Sequence, residues 1–496
     1  MTLPKIGTQK ILTCIDGKGS TVPVILRNPW VYLEIYEGDV IHIIEGKNYS
    51  NKRLLSQDKD PITHAENDNI LILHPDILLS ATTLGSSTKC LRCSIIDNLF
   101  QDTRNDQNIS MTIGNIVHEL LQDAFRFKLS QQTISTEFFT ERLDDLLDVY
   151  SFAILVCNET VEDVKNTIME KHVNKMVEFV NRFVSFDNFS RYVPIADTKK
   201  NQPISISDII DIEENIWSPS YGLKGFLDAT VETYVENDHL IAPLEIKTGK
   251  YKSQAHEVQG LIYTLLLSDR YDINSDFFLL MYTWEGGMIK YRRLLDKIRH
   301  IIMTRNKVAT ALKSRLSEIK CQKITSLPVP KLEDNPSKCT YCFNKTASMI
   351  LFKLLENGTT DNCRIPEEEY EQITDHLPQN ITKYKNFFVK YSDLITKEES
   401  SVCASNQDLF LLDGKTRESK NGHCIPELKI LKISEDEESP GRFLYEFRKK
   451  NGETQPYEPM SKSQIFIGDR VILSDENGHF SIASGSVIDM KDDLIV

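Results

Sequence analysis

Three charged residues within residues 222–263 have the types and spacing for hydrolysis of a phosphate ester: Asp228, then Glu245 and Lys247 in a Glu-Ile-Lys run. Two carboxylates brought to one spot repel unless a cation lies between them. An oxygen-rich site of that kind suits Mg²⁺ or Mn²⁺. A lysine beside the cation can orient an attacking water and offset growing negative charge. An Asp and a Glu-x-Lys are also common on strands without any chemistry, so the surrounding elements matter.

Residues 224–234 mix apolar and β-branched side chains, as strands do. Residues 236–239 (Glu-Asn-Asp-His) are polar and turn-like, and residues 240–247 read as a second strand. Alternation puts Glu245 and Lys247 on one face, and a hairpin would bring Asp228 to one end of it. Residues 253–268 have helical spacing, with Val258, Leu261, Ile262 and Leu265 apolar. That spacing sets Gln259 and Tyr263 at i and i+4 on one face. Upstream, His118 lies in another helical run after Gly114.

A second set of residues suits a soft metal. Cys90 and Cys93 precede a helical stretch, and Cys339 and Cys342 repeat the spacing far downstream. Two such pairs can make a four-thiolate site for zinc or an iron–sulfur cluster, and they flank the Asp/Glu/Lys region. The bland alternative is buried thiols.

The chain has 496 residues, room for two to four domains, and 40% hydrophobic residues, enough for a large core. A net charge of −14 argues against a surface coated in nucleic acid but leaves room for a local basic groove. No apolar run reaches membrane-spanning length, and the first residues carry neither a hydrophobic signal core nor a transit-peptide pattern. Ten cysteines without a secretory signal suggest a reducing compartment.

The class expected is a multidomain protein of α+β and α/β parts. Residues 1–80 read as short strands of an OB-like β-barrel, including residues 30–35. Trp30, Tyr32 and Tyr36 are read there as core or as stacking residues. Residues 81–345 hold the chemistry, with residues 123–189 mostly helical and a hairpin around residues 285–287. Residues 292–320 form an amphipathic helix whose nine Lys/Arg against two acids fit a solvated face or a wall of a DNA channel, with Arg299 and Arg305 on it. Residues 346–400 read as a helical stalk, and residues 401–496 as a second small β-barrel. Residues 467–474 (Ile-Gly-Asp-Arg-Val-Ile-Leu-Ser) echo residues 37–44 (Glu-Gly-Asp-Val-Ile-His-Ile-Ile). Asp413-Gly-Lys-Thr416 is no phosphate-binding loop, because Leu409 stands where the first glycine is needed.

Histidine, aspartate, glutamate and lysine, then Gln-x-x-x-Tyr, in this order resemble the RecB-like branch of the PD-(D/E)xK nuclease superfamily. The resemblance implies a nuclease core with a mixed sheet flanked by helices. It implies that His118, Asp228 and Glu245, with the Ile246 carbonyl, hold Mg²⁺ or Mn²⁺. Asp228, Glu245 and Lys247 would be catalytic, and Gln259 and Tyr263 would line the DNA-binding side. Here the first acid stands in a Leu-Asp-Ala setting, not beside the proline usual for the branch.

The runs Leu-Ile-Leu-His-Pro-Asp (71–76), Gly-x-x-x-His-Glu (114–119), Gly-x-Leu-Asp (225–228), Glu-Ile-Lys-Thr-Gly-Lys (245–250) and Gln-Gly-Leu-Ile-Tyr (259–263), followed by Cys-x-x-Cys, narrow the likeness. Together they resemble the eukaryotic DNA replication ATP-dependent helicase/nuclease family. That implies cleavage of single-stranded ends and flaps in Okazaki-fragment maturation and break resection, a nuclear and also mitochondrial setting, and a single-strand-binding protein as partner. It also implies a [4Fe–4S] cluster on one cysteine before the fold and three after it. Cys90, Cys339 and Cys342 match that pattern, but the last position is Ser348. Cys93 is then expected to supply the fourth thiolate, with Cys363 as runner-up. The family's helicase motors are not found in these residues, so the chain reads as a fragment or an incomplete gene model. Two rivals stand beside this reading: a single-stranded-DNA-binding scaffold with an idle nuclease fold, and a nuclease of the kind that works in CRISPR adaptation.

Overall fold

The computed structural model describes residues 8–16, 19–44, 62–63, 69–100, 108–129, 133–185, 191–236, 238–320, 329–332, 339, 342, 344–377, 381–435, 442–449, 463–475, 477, 479–491 and 494–496. The chain divides into two compact units, Met1–Ser392 and Asp393–Val496. No helix among the described residues is long and apolar enough to cross a membrane.

The first unit opens with short strands: β1 (Lys10–Ile15), β2 (Thr21–Leu26), β3 (Ile41–Ile44), β4 (Ile62–Thr63), β5 (Ile70–Leu73) and β6 (Leu79–Ser80). Among the described residues they do not close into the expected barrel. Among the described residues β1, β2 and β4 form one sheet, β3 and β5 form a separate ribbon, and β6 joins the large sheet described below. Residues 30–35 are no strand either: Trp30–Tyr32 is a 3-10 turn whose indole is wholly buried. Burying that one large ring outweighs the β propensity of its neighbours. Tyr32 and Tyr36 are exposed.

Helices α1 (Ala81–Ser87), α2 (Leu91–Leu99), α3 (Ile109–Leu129), α4 (Thr136–Val156) and α5 (Val161–Ile168) follow, then a π-helical turn (Met169–Val173) and α6 (Asn174–Phe183). Strands β7 (Arg191–Pro194), β8 (Asn201–Ser218), β9 (Leu223–Val235) and β10 (Asp238–Lys247) come next. After them run α7 (Gln254–Tyr271), β11 (Phe277–Tyr282), β12 (Gly287–Arg292) and α8 (Leu295–Lys320). The central mixed sheet has the order β12-β11-β10-β9-β8-β7, with β6 paired to β9. Strands β10 and β11 are parallel, which requires the crossover that α7 supplies. Two apolar cores cover the two faces. One packs α3–α6 on the sheet, and the other packs α1, α7 and α8 with the N-terminal strands.

Helix α8 is a clamp more than a channel wall. Ile298, Ile301, Ile302 and Val308 are buried as expected; the side chain of Leu316 lies outside the described residues. Arg305, expected on a DNA-facing surface, is also wholly buried. Its guanidinium donates to the carbonyls of Leu73, His74 (2.5 Å), Ile77 (2.7 Å) and Gly222 (3.2 Å). Gly222 has φ +61°, and a Cβ there would lie 2.2 Å from the Arg305 guanidinium, so glycine is needed twice over. Asn306 continues the clamp, donating to the Leu71 carbonyl and accepting from the Leu73 N–H. The Gly222 carbonyl also accepts from the Leu79 N–H and the His74 carbonyl from the Ile77 N–H, so the forked guanidinium adds further donors that tie α8 to this turn.

Beyond α8 run the helices Lys345–Leu355, Glu367–Asp375 and Ile381–Leu411. In the second unit the helix Gly414–Asn421 is capped by Asp413, whose side chain accepts from the Thr416 N–H. The Asp-Gly-Lys-Thr run is thus a helix start. Strands β13 (Leu428–Glu435), β14 (Phe443–Lys449) and β17 (Leu494–Ile495) form one sheet, while β15 (Arg470–Leu473) and β16 (Ala483–Ser486) form a ribbon. Here too no closed barrel forms among the described residues. The echoed Gly-Asp runs are the same turn. In each the aspartate side chain accepts from the backbone N–H three residues earlier, at 2.8 Å, after a glycine of positive φ.

Candidate active site

The site lies where β9 and β10 part. Their ladder ends at the pair Leu244 and Ala229. Just beyond it Asp228 Oδ2 accepts from the Ile246 N–H at 2.7 Å, so a side chain replaces the next rung. Glu245 is 1% exposed, and its Oε1 accepts from Lys247 Nζ. Its Oε2 is buried with no hydrogen-bond partner. A buried carboxylate oxygen without a donor is costly, and a cation is the usual remedy.

Helix α3 brings His118, whose Nδ1 lies 3.4 Å from Asp228 Oδ1. Strand β8 brings a residue that the sequence reading missed, Glu213. It falls between the registered pairs Ile212–Ala229 and Glu214–Leu227, opposite Asp228. One ligand atom each from His118, Glu213 and Asp228 lies within 4.8 Å of the others. Glu213 has φ +58°, uncommon for a residue with a side chain, and its Oε1 accepts from Gln122 of α3 at 2.8 Å. The neighbouring Glu214 is structural: buried, it accepts from Thr230 and Tyr271. Only a polar pair in the middle of a strand could have flagged this position. Nothing in the sequence says which of the two acids faces the site. A cleft extends from His118 and Glu213 along α3, past Glu119, Gln122 and Arg126, to Arg142 of α4.

The electrostatics follow from crowding. Burial, and next the Asp228 carboxylate, push the Glu245 carboxyl well above the usual range. Burial also works against ionised Asp228, but His118, Lys247 and the Ile246 N–H outweigh it and hold that carboxyl low. Lys247 is raised: its burial favours the neutral amine, yet Glu245 and Asp228 overcome that. Carboxylates thus crowd one buried spot, and the oxygen-rich donor set fits Mg²⁺ or Mn²⁺. Of the other expected residues, Gln259 Nε2 donates to the Tyr263 hydroxyl at 2.7 Å. Tyr263 itself is only 2% exposed. Its ring packs on Gly225, three residues before Asp228, and burial, with Glu245 nearby, raises its phenol far above normal.

The cysteines form a second cluster. Cys90 caps α2, its sulfur accepting from the Cys93 N–H at 3.4 Å. Cys93 and Cys342, 249 residues apart, meet sulfur to sulfur as a disulfide. Cys339 is buried, and its carbonyl accepts from the Cys342 N–H. Cys363 sits in the apolar cluster that contains Cys339. Ser348 is engaged elsewhere, its hydroxyl accepting from Arg92 Nε at 2.9 Å. Arg92 also reaches the carbonyls of Ser348 and Pro330 and the Glu356 carboxylate.

The chain is similar to known proteins along nearly its whole length. Residues 15–233 match the family model described as DNA replication factor Dna2. The DNA replication ATP-dependent helicase/nuclease DNA2 of Saccharomyces cerevisiae is 53% identical over 486 residues, 98% of this chain and 32% of that protein. The dna2 protein of Schizosaccharomyces pombe is 29% identical over 95% of this chain and 31% of its own length. Human DNA2 is 27% identical over 93% of this chain and 43% of its own. The chain thus spans about a third of the length of the yeast relatives it matches. On these matches the chain is similar to the Dna2 family over nearly its whole length.

Proposed function

We propose that the chain is a metal-dependent nuclease that cleaves single-stranded DNA ends and flaps, with roles in DNA replication and in resection of broken ends. The observation that carries this reading is the Asp228–Ile246 bond: it sets Asp228 beside both Glu245 and His118, residues from three separate elements. Asp228, Glu245, His118 and Glu213 would hold Mg²⁺ or Mn²⁺, with the Ile246 carbonyl as a further donor. When bound, the ion supplies Lewis acidity and lowers the pKa of an attacking water. Lys247 stays protonated beside Glu245, where it can orient that water and meet the charge that builds on the phosphate. Gln259 would help hold the strand, with the Tyr263 hydroxyl accepting from its side-chain amide. A single-strand-binding protein as partner and a nuclear or mitochondrial setting belong to the same reading.

Cys90, Cys93, Cys339 and Cys342 are proposed to hold a [4Fe–4S] cluster as thiolates, which requires the Cys93–Cys342 disulfide to be reduced, because Ser348 is committed to Arg92 and Cys93 lies against Cys342. Iron and sulfide analysis of Cys93→Ser tests this. Loss of the cluster is expected, and full occupancy would transfer the role to Cys363.

The test of the whole reading is cleavage of a labelled flap substrate in Mg²⁺ by the parent and by Asp228→Ala, with EDTA as control. Cleavage by the parent alone is the expected result. Binding without cleavage by either protein overturns it and leaves a DNA-binding scaffold.

A further inference from the structure

A lysine-rich aromatic surface adjoins the end of β10 and takes no part in the metal site. Trp284 follows Thr283, whose backbone N–H donates to the Lys247 carbonyl at 2.9 Å. Its indole is half-buried. The ammonium groups of Lys171 and Lys250 lie 5.7 and 5.8 Å from the ring centroid. The next residues of the Lys247 loop add Tyr251, 80% exposed, and Lys252, which lies over Tyr282 and pairs with Glu285. From the other side comes the π-helical turn Met169–Val173, which carries Lys171 and His172. Such turns are rare and frequent at functional sites. His172 is buried, bonds Thr283 Oγ1 at 2.9 Å, and meets the indole edge-on with centroids 6.1 Å apart. The ring is therefore held in place, while its cationic surroundings are exposed lysines.

We propose that Trp284, with Lys171 and Lys250 around it, is a stacking platform for a base of single-stranded nucleic acid next to the scissile phosphate. The chain carries a net charge of −14, so lysines gathered on one indole are not an average of its surface. A ring flanked by ammonium groups matches a base flanked by phosphates: the base takes the ring face, and the displaced ammonium groups turn to the backbone. A duplex hides its base faces and offers no such fit. The proposal takes its substrate class from the nuclease reading and adds a residue that would choose single strands.

The experiment measures binding of a labelled oligothymidylate to the full chain in EDTA, for the parent, Trp284→Ala, Trp284→Phe and Lys171→Glu/Lys250→Glu. It is repeated with an oligonucleotide of abasic sites. Trp284→Ala should weaken binding about tenfold, the scale of removing one base stack, and Trp284→Phe much less. On the abasic strand the parent and Trp284→Ala should bind alike. The double lysine variant should reduce the slope of log affinity against log salt by about 1.4, or about 0.7 for each phosphate no longer neutralised. Parent-like binding by Trp284→Ala overturns the proposal, as does an equal loss on the abasic strand, which would mark a structural effect. Cleavage in Mg²⁺ is scored separately. A parent that cleaves while Trp284→Ala binds normally rejects the platform and keeps the nuclease. A parent that shows the base-dependent loss and never cleaves rejects the nuclease and keeps the platform.

Discussion

Asp228 and Ile246 share a 2.7 Å hydrogen bond in which the side chain of one strand accepts from the backbone of the next. It decides the geometry of the site. With Oδ2 fixed on β10, Oδ1 is left to face His118 and Glu213, and the carboxylate stays ionised among groups that favour its charge.

Glu213 tests the metal side of that arrangement. Glu213→Gln keeps the shape and removes the charge. The Mg²⁺ concentration for half-maximal cleavage should rise on the order of tenfold or more, with a smaller rise for Gln122→Ala, which only orients it. A Mg²⁺ titration of cleavage is the measurement, and an unchanged midpoint for Glu213→Gln would remove it from the ligand set.

Gly225 tests the packing beneath the site. A Cβ there would lie 2.6 Å from the Tyr263 ring and 3.0 Å from Leu266. Both neighbours are buried and cannot yield without moving α7. Gly225→Ala should cost about 1–3 kcal/mol in a denaturant melt. Because the ring supports Gln259 and lies near Glu245, cleavage should also fall. Wild-type stability would show that β9 and α7 pack more loosely than these distances imply.

Arg305 separates a clamp from a DNA-binding surface. Arg305→Met should destabilise the fold by about 3 kcal/mol or more, since it removes the bonds of a charged donor to four backbone carbonyls and each such bond is worth about 1.5–3 kcal/mol. The salt dependence of DNA binding should not change in whatever fraction remains folded. A stable variant with a flatter salt dependence would restore the channel reading.

His172 predicts a pH effect on stability. Burial, with Lys171 beside it, lowers its pKa from 6.5 to about 4. Above pH 6.5 it is neutral in both folded and unfolded chains and contributes no pH dependence. Between about 6.5 and 4 the unfolded chain takes up the proton and the folded chain does not, so stability falls as pH falls. The full loss is up to about 3 kcal/mol, from a shift of about 2.5 units. His172→Gln should flatten the curve in that window, as followed by denaturant midpoints at several pH values. An unflattened curve would place the acid sensitivity elsewhere.

Much of this protein was legible in its sequence, because periodicity reports which residues share a face of one element. Alternation along residues 240–247 put Glu245 with Lys247, helical spacing put Gln259 with Tyr263, and the hairpin of β9 with β10 followed from two strand-like runs around a polar turn. Cysteine spacing singled out two pairs, and the fold brings one member of each, Cys93 and Cys342, together. What periodicity cannot report is which element covers a given face. Tyr263 and Arg305 sit on amphipathic helices, and only the sheet and the β5–β6 turn packed on them made one a buried support and the other a clamp. Glu213 and Glu214 are adjacent acids, and the register of β8 on β9, which sets Glu213 opposite Asp228, decided which one meets it. Trp284 reads as a hairpin residue until a π-helical turn about 110 residues earlier in the chain brings Lys171 and His172 to its ring. The N-terminal strands were visible as strands, but barrel closure depends on pairings between distant segments, and residues 45–61 and 64–68, which the expected barrel also covered, lie outside the described residues. Local sequence thus determined the elements and the residue types that can do chemistry. Long-range packing alone decided which of them share a site, because burial and register are properties of the neighbours an element acquires and not of the element itself.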